Sequence, residues 1–111
     1  MKISPEKYLA KLPLPATEKW PEGVFDIEAM QHGSMSLILF APRGNDYQTP
    51  HEQDELYIIL EGEGILDVKG KPFPFKPGDA LFVAAGEAHR FIEFSHGTKM
   101  WAIFWGPKGG E

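Results

Sequence analysis

The chain has 111 residues, a formal net charge of −5 and a pI near 5.3, with 42% hydrophobic and 13% aromatic residues. That is the length of one domain with ample material for a packed interior, which excludes a disordered chain and leaves no room for two cores. No run of Lys or Arg could follow a phosphate backbone, so nucleic acid is not expected as a partner. With no cysteine in the chain, any metal must be held by nitrogen and oxygen ligands.

Ser4, Pro5 and Glu6 open the chain with a helix-start signature: a capping hydroxyl, a proline where no backbone donor is needed, and an acid at the positive end of the dipole. Pro13 and Pro15 stop that helix within about two turns. Residues 1–23 then read as an N-terminal arm over the domain, with Leu9, Leu12, Leu14 and Trp20 available to cover a sheet face or a partner. The arm lacks the unbroken apolar stretch of a signal peptide, and nothing in the chain reaches the length of a membrane span. A soluble, cytoplasmic protein is expected.

From residue 24 the pattern changes to strand and turn, and 24–107 reads as one domain with a tail at 108–111. Twelve glycines and ten prolines favour many short strands. The apolar runs predict strands over 24–30, 34–41, 55–61, 64–69, 73–75, 80–84, 88–94 and 99–105. Pro77-Gly78 suits the centre of a type II turn, where proline sets the first φ and glycine supplies the positive second one. Such regular spacing predicts an all-β sandwich or barrel. LYIIL, ALFVAA and WAIFW are apolar on both faces, so the outer face should be covered by the arm or by a second subunit, and a homodimer is expected.

Of the four histidines, His32 and His96 each precede a turn glycine and read as polar turn residues. His51 and Glu55 lie four apart where a strand begins, which places both on one face together with Thr49, Gln53 and Tyr57. Glu52 and Asp54 then face the other way, toward solvent. His89 begins another strand. Two imidazoles and a carboxylate from two strands can occupy three corners of one coordination sphere.

The spacing of these residues resembles the motifs of the cupin superfamily, G-x5-H-x-H-x3–4-E-x6-G and G-x5-P-x-G-x2-H-x3-N. Glu55, six residues and Gly62 match the end of the first motif, and His51 stands where its second histidine would. Gly78, DALFV, Ala84, Ala85, Gly86, EA, His89, RFI and Glu93 follow the spacing of the second. Thr49 replaces the first histidine, Ala84 the proline and Glu93 the asparagine, and Gly44 lies one residue nearer to Thr49 than the motif's opening glycine would. Pairing His51 with Gln53 instead would leave one residue before Glu55, which the motif does not allow.

The resemblance implies a single cupin-type antiparallel β-barrel, a double-stranded β-helix or jelly roll, preceded by the short helix and arm. It implies a divalent metal (Fe, Mn, Ni, Co or Zn) on His51, Glu55 and His89, with a small-molecule ligand in the barrel. Thr49 could hydrogen-bond a bound water at the vacated corner, or Gln48 could supply an amide oxygen if the chain is bulged there. Tyr57, Phe91 and Glu93 share parity with the ligands and are expected to line the pocket. Three function classes follow: a metalloenzyme such as an oxygenase or isomerase, a binding module without turnover, and a dimerisation barrel.

Overall fold

The computed structural model describes residues 1–111. A one-and-a-half-turn helix, α1 (Pro5–Leu9), precedes eight strands: β1 (Asp26–His32), β2 (Met35–Phe40), β3 (Asp54–Glu61), β4 (Gly64–Val68), β5 (Lys71–Phe75), β6 (Ala80–Val83), β7 (His89–Phe94) and β8 (Lys99–Trp105). All paired strands are antiparallel, in a five-stranded sheet of order β1-β2-β8-β3-β6 and a three-stranded sheet of order β5-β4-β7. No helix is long and apolar enough to cross a membrane.

All eight strands stand where the apolar runs place them, within a few residues at each end. The turn at Pro77-Gly78 closes as its residue types require: Gly78 has φ +91°, and the Asp79 amide donates to the Lys76 carbonyl at 3.1 Å. Ser4 does stand at the N-cap of α1, but its side chain makes no capping hydrogen bond. The helix is held instead by packing against β2, and the Tyr8 hydroxyl lies 3.4 Å from the Ala29 carbonyl.

The core fills the space between the sheets. Tyr57 and Ile59 of β3 face Met100 and Ala102 of β8, Phe40 of β2, Val83 of β6, and Leu66, Phe75 and Phe91 from the smaller sheet, all nearly fully buried. Period-two alternation brings this about: Glu55, Tyr57 and Ile59 point in, and Leu56 and Ile58 point out. The outer face of the larger sheet is apolar as well. The arm accounts for one end of it, where α1 packs on β2 and Leu14 bridges Val24 beside fully buried Leu39. At the other end Phe82 is 56% exposed, with Trp105 packed beside it.

Candidate metal centre

β3 enters the sheet at Asp54, and the segment before it carries His51 on an irregular stretch rather than on the strand. Three hydrogen bonds fix that stretch. The Gly86 amide donates to the His51 carbonyl at 2.8 Å, and Gln53 Nε2 donates to the Ser34 and Gly106 carbonyls at 2.9 and 3.0 Å. Asp54 is not a solvated acid as its parity suggests. It is 6% exposed, because its two carboxylate oxygens accept from the Ala85 and Glu111 amides at 2.9 and 3.1 Å. Those two hydrogen bonds hold its carboxyl below the usual aspartate value. They also anchor the turn leading into β7 and the C-terminal residues against the start of β3.

Within this frame His51, Glu55 and His89 converge, and one ligating atom from each lies within 4.8 Å of the others. Glu55 Oε1 is 2.9 Å from His51 Nε2 and 3.4 Å from His89 Nε2. Glu55 is 2% and His89 4% exposed. Each imidazole has its other nitrogen at a backbone carbonyl: His51 Nδ1 is 2.6 Å from the Gln53 oxygen, and His89 Nδ1 is 2.9 Å from the Glu87 oxygen. A carbonyl can only accept, so Nδ1 carries a proton in both rings, and in the neutral ring each Nε2 turns a lone pair inward. This is the arrangement in which a ring nitrogen is ready to ligate, its orientation set by the partner of the other nitrogen.

Despite the short separations, Glu55 Oε1, His51 Nε2 and His89 Nε2 are all buried without a hydrogen-bond partner. Three orphaned polar atoms aimed at one point would be costly in a protein interior. A cation among them would satisfy all three at once, so the donor set fits a divalent metal. Burial pushes Glu55 up, but the two imidazoles beside it outweigh that and hold it below its usual value. Burial likewise pushes His89 down, and the Glu55 carboxylate and the Glu87 carbonyl carry it above the ordinary histidine value.

The remaining residues expected at the site divide. Gln48 and Tyr57 stand beside Glu55 around a small cavity of about 70 Å³, and the Tyr57 hydroxyl donates to Gln48 Oε1 at 3.0 Å. Phe91 is buried in the core between Phe40, Tyr57 and Phe75. Thr49 is exposed, its hydroxyl accepting from Lys19 Nζ at 3.1 Å. Glu93 is exposed because β7 carries a bulge: Leu66 pairs with Phe91 while Ile65 pairs with Glu93. The extra residue shifts the alternation, so Phe94 packs toward the core in its place.

Two acids near the site are not part of either motif. Asp46 is 3% exposed and accepts from the Phe91 amide at 2.8 Å, the Gln48 amide at 3.1 Å and Gln48 Nε2 at 2.6 Å. Asp26, at the start of β1, lines the small cavity with Glu55. Burial raises both carboxyls, with Asp46 and Glu55 adding to the effect at Asp26. Asp46 falls at a variable position between Gly44 and Thr49, so the motif spacing does not single it out.

The cupin-domain family profile matches residues 36–105, a span that holds both β-sheets' central strands and all three converging side chains. The chain belongs to the cupin family. An uncharacterized Streptomyces coelicolor protein is 29% identical over 84 residues, which is 74% of this chain and 80% of that protein. An oxalate-binding protein of Thermotoga maritima is 48% identical over 40 residues, and an acireductone dioxygenase of Leishmania major 48% over 46 residues. This chain spans 33% and 13% of those two proteins, respectively. Among solved structures, a Neisseria meningitidis protein superposes with a TM-score of 0.68 at 19% identity, covering 96% of this chain and 100% of the other. An RmlC-like cupin from Shewanella frigidimarina gives 0.64 at 17% identity over 72% and 73%. At such identities the superpositions show the cupin fold.

Proposed function

We propose that His51, Glu55 and His89 hold one divalent cation (Fe, Mn, Ni, Co or Zn), and that this cupin uses it to act on a small organic molecule. The observation that carries the reading is the set of three buried, unpartnered donor atoms converging on one point. Two neutral imidazoles and one carboxylate resemble the facial arrangement of non-haem iron sites, which leaves positions open. An ion held there supplies a Lewis-acidic centre at which water, dioxygen or a carbonyl oxygen is polarised. Glu55 contributes the negative charge, and the two backbone carbonyls hold each imidazole in its ligating tautomer. Gln48 Oε1, held by the Tyr57 hydroxyl, stands on the cavity wall and is the better candidate than exposed Thr49 for the fourth corner. The likeness to an acireductone dioxygenase over 46 residues supports oxygenase chemistry as the first reaction class to assay.

A second reading, a binding module without turnover, is favoured by the likeness to an oxalate-binding protein and by a site with only three converging ligands. Metal analysis of protein purified without an affinity tag decides the common premise. Near-stoichiometric metal is expected, lost in His51→Ala and His89→Ala with the fold retained. Undiminished metal in both variants would remove the site. Turnover that vanishes in those variants favours the enzyme, and thermal stabilisation by a small molecule without turnover favours the binding module.

The open end of the larger sheet's outer face supports a homodimer. Phe82, Leu56, Ile58, Trp101, Ile103 and Trp105 share that side and carry no charge. A second copy presenting the same patch is the occupant that a charge-free, self-matching surface fits.

A further inference from the structure

The interior cavity beside the three converging ligands is lined at its polar end by Asp26, Gln48, Glu55 and Tyr57, and its walls are completed by Ile38, Ala102 and other apolar side chains. Phe104 lines both this cavity and a wider mouth of about 450 Å³ that holds His51, Gln53 and Lys108. Phe104, whose ring packs edge-on against His51 at 4.8 Å, is the residue the two share.

Its polar groups are unequal. Tyr57 is committed to Gln48, and Gln48 Nε2 to Asp46. The Asp26 carboxylate has no side-chain hydrogen-bond partner, and Lys19 is the one cation whose charge reaches it. Glu55, 2% exposed, faces the same cavity with Oε1 unpartnered. Asp26 is therefore the acceptor on the cavity wall that neither the Gln48 network nor the converging ligands claim. No cationic side chain lines it, and Asp46 lies behind Gln48. A carboxylate or phosphate placed against Asp26 would meet a like charge at close range, whereas a hydroxyl would give Asp26 the donor it lacks.

We propose that this inner cavity seats the ligand, and that Asp26 selects a compact, uncharged molecule bearing a hydroxyl over an anionic one of the same shape. The ligand's other polar end would reach toward Glu55 and the two histidines, and only that second anchor rests on the metal reading.

Hydroxyacetone and pyruvate test the selection, since they differ in a hydroxymethyl against a carboxylate on the same acetyl frame. Binding is followed through the methyl resonances of Ile38 and Ala102, which report occupancy in zinc-loaded and in metal-free protein alike. Both probes should shift these methyls. In Asp26→Asn, and in Asp26→Ser as a second variant, affinity for pyruvate relative to hydroxyacetone should rise about tenfold, the size of one charged interaction lost. Zinc content should stay at the wild-type level. An unchanged ratio in both folded variants, or methyl resonances that neither probe shifts, would overturn the proposal. Absence of zinc from the wild-type protein would instead count against the metal centre, and the metal-free titration would still decide the role of Asp26.

Discussion

Glu55 Oε1 lies 2.9 Å from His51 Nε2, and no hydrogen bond joins them. At that distance two groups in a protein interior are normally donor and acceptor. Here the Nδ1 proton of His51 is given to the Gln53 carbonyl, so the neutral ring turns the lone pair of Nε2 toward the carboxylate. The pair is arranged for a third participant that both can share.

That arrangement gives opposite pH dependences with and without metal. His89 sits above its usual value of 6.5 in the metal-free protein, so the stability it contributes is complete below 6.5 and is lost as pH rises through its folded value. A metal needs the imidazole neutral, and its affinity rises over the same window. The thermal shift on adding zinc should therefore grow from pH 6 to pH 8. Melting curves with and without metal across that range check it. A shift that shrinks over this range contradicts His89 as a ligand.

Asp46 should be the most costly acid to remove. It satisfies the Phe91 amide, the Gln48 amide and the Gln48 side chain from a buried position. Asp46→Ala would leave those donors unpaired, at about 1–3 kcal/mol for each buried group orphaned. A loss of about 3 kcal/mol in chemical denaturation is expected, accompanied by weaker ligand binding as Gln48 is freed. Asp46→Asn keeps one acceptor and should cost less than the alanine.

Gly62 closes the first motif for a steric reason. Its φ is +95°, and a Cβ there would overlap Thr98 Oγ1 and come within 2.6 Å of Thr98 Cα. Since Thr98 is 1% exposed and its hydroxyl donates to the Ser95 carbonyl at 2.7 Å, it has no free direction in which to move. Gly62→Ala should destabilise by about 3 kcal/mol or more, read as a lowered Tm. Gly70→Ala is the control: its φ is also positive, at +83°, but a Cβ there meets nothing within 4 Å, so the loss should be about 1 kcal/mol.

Phe82→Glu should separate the proposed dimer without unfolding the subunit, because Phe82 is 56% exposed and a charge at this position would face its own copy. Light scattering should show the mass fall by half, with circular dichroism unchanged. A wild-type protein that is monomeric at high concentration would remove this interface.

Much of the candidate site was legible in the sequence because its determinants are local. Period-two alternation places Glu55, Tyr57 and Ile59 on one face wherever the strand goes, and turn residues such as Pro77-Gly78 encode their own φ angles. The two motif spacings, read as a cupin resemblance, therefore located His51, Glu55 and His89. What the tertiary structure decided lies where local rules are interrupted or where partners come from afar. A single bulge in β7 turns Glu93 out and Phe94 in, and a bulge depends on the strand it pairs with. Asp54 is buried because the amides of Ala85 and Glu111, 31 and 57 residues away, need its oxygens. Thr49 shares parity with the ligands, yet it precedes the strand, where no ladder enforces alternation, and it ends on the surface beside Lys19. Asp26 carries no signal in its own neighbourhood. Only the packing of β1 against β2, and of β2 against β8, brings it to the cavity wall beside Glu55. Alternation and turn chemistry act over a few residues, whereas the depth of a side chain and the company it keeps are set by chain segments that meet only in the folded state.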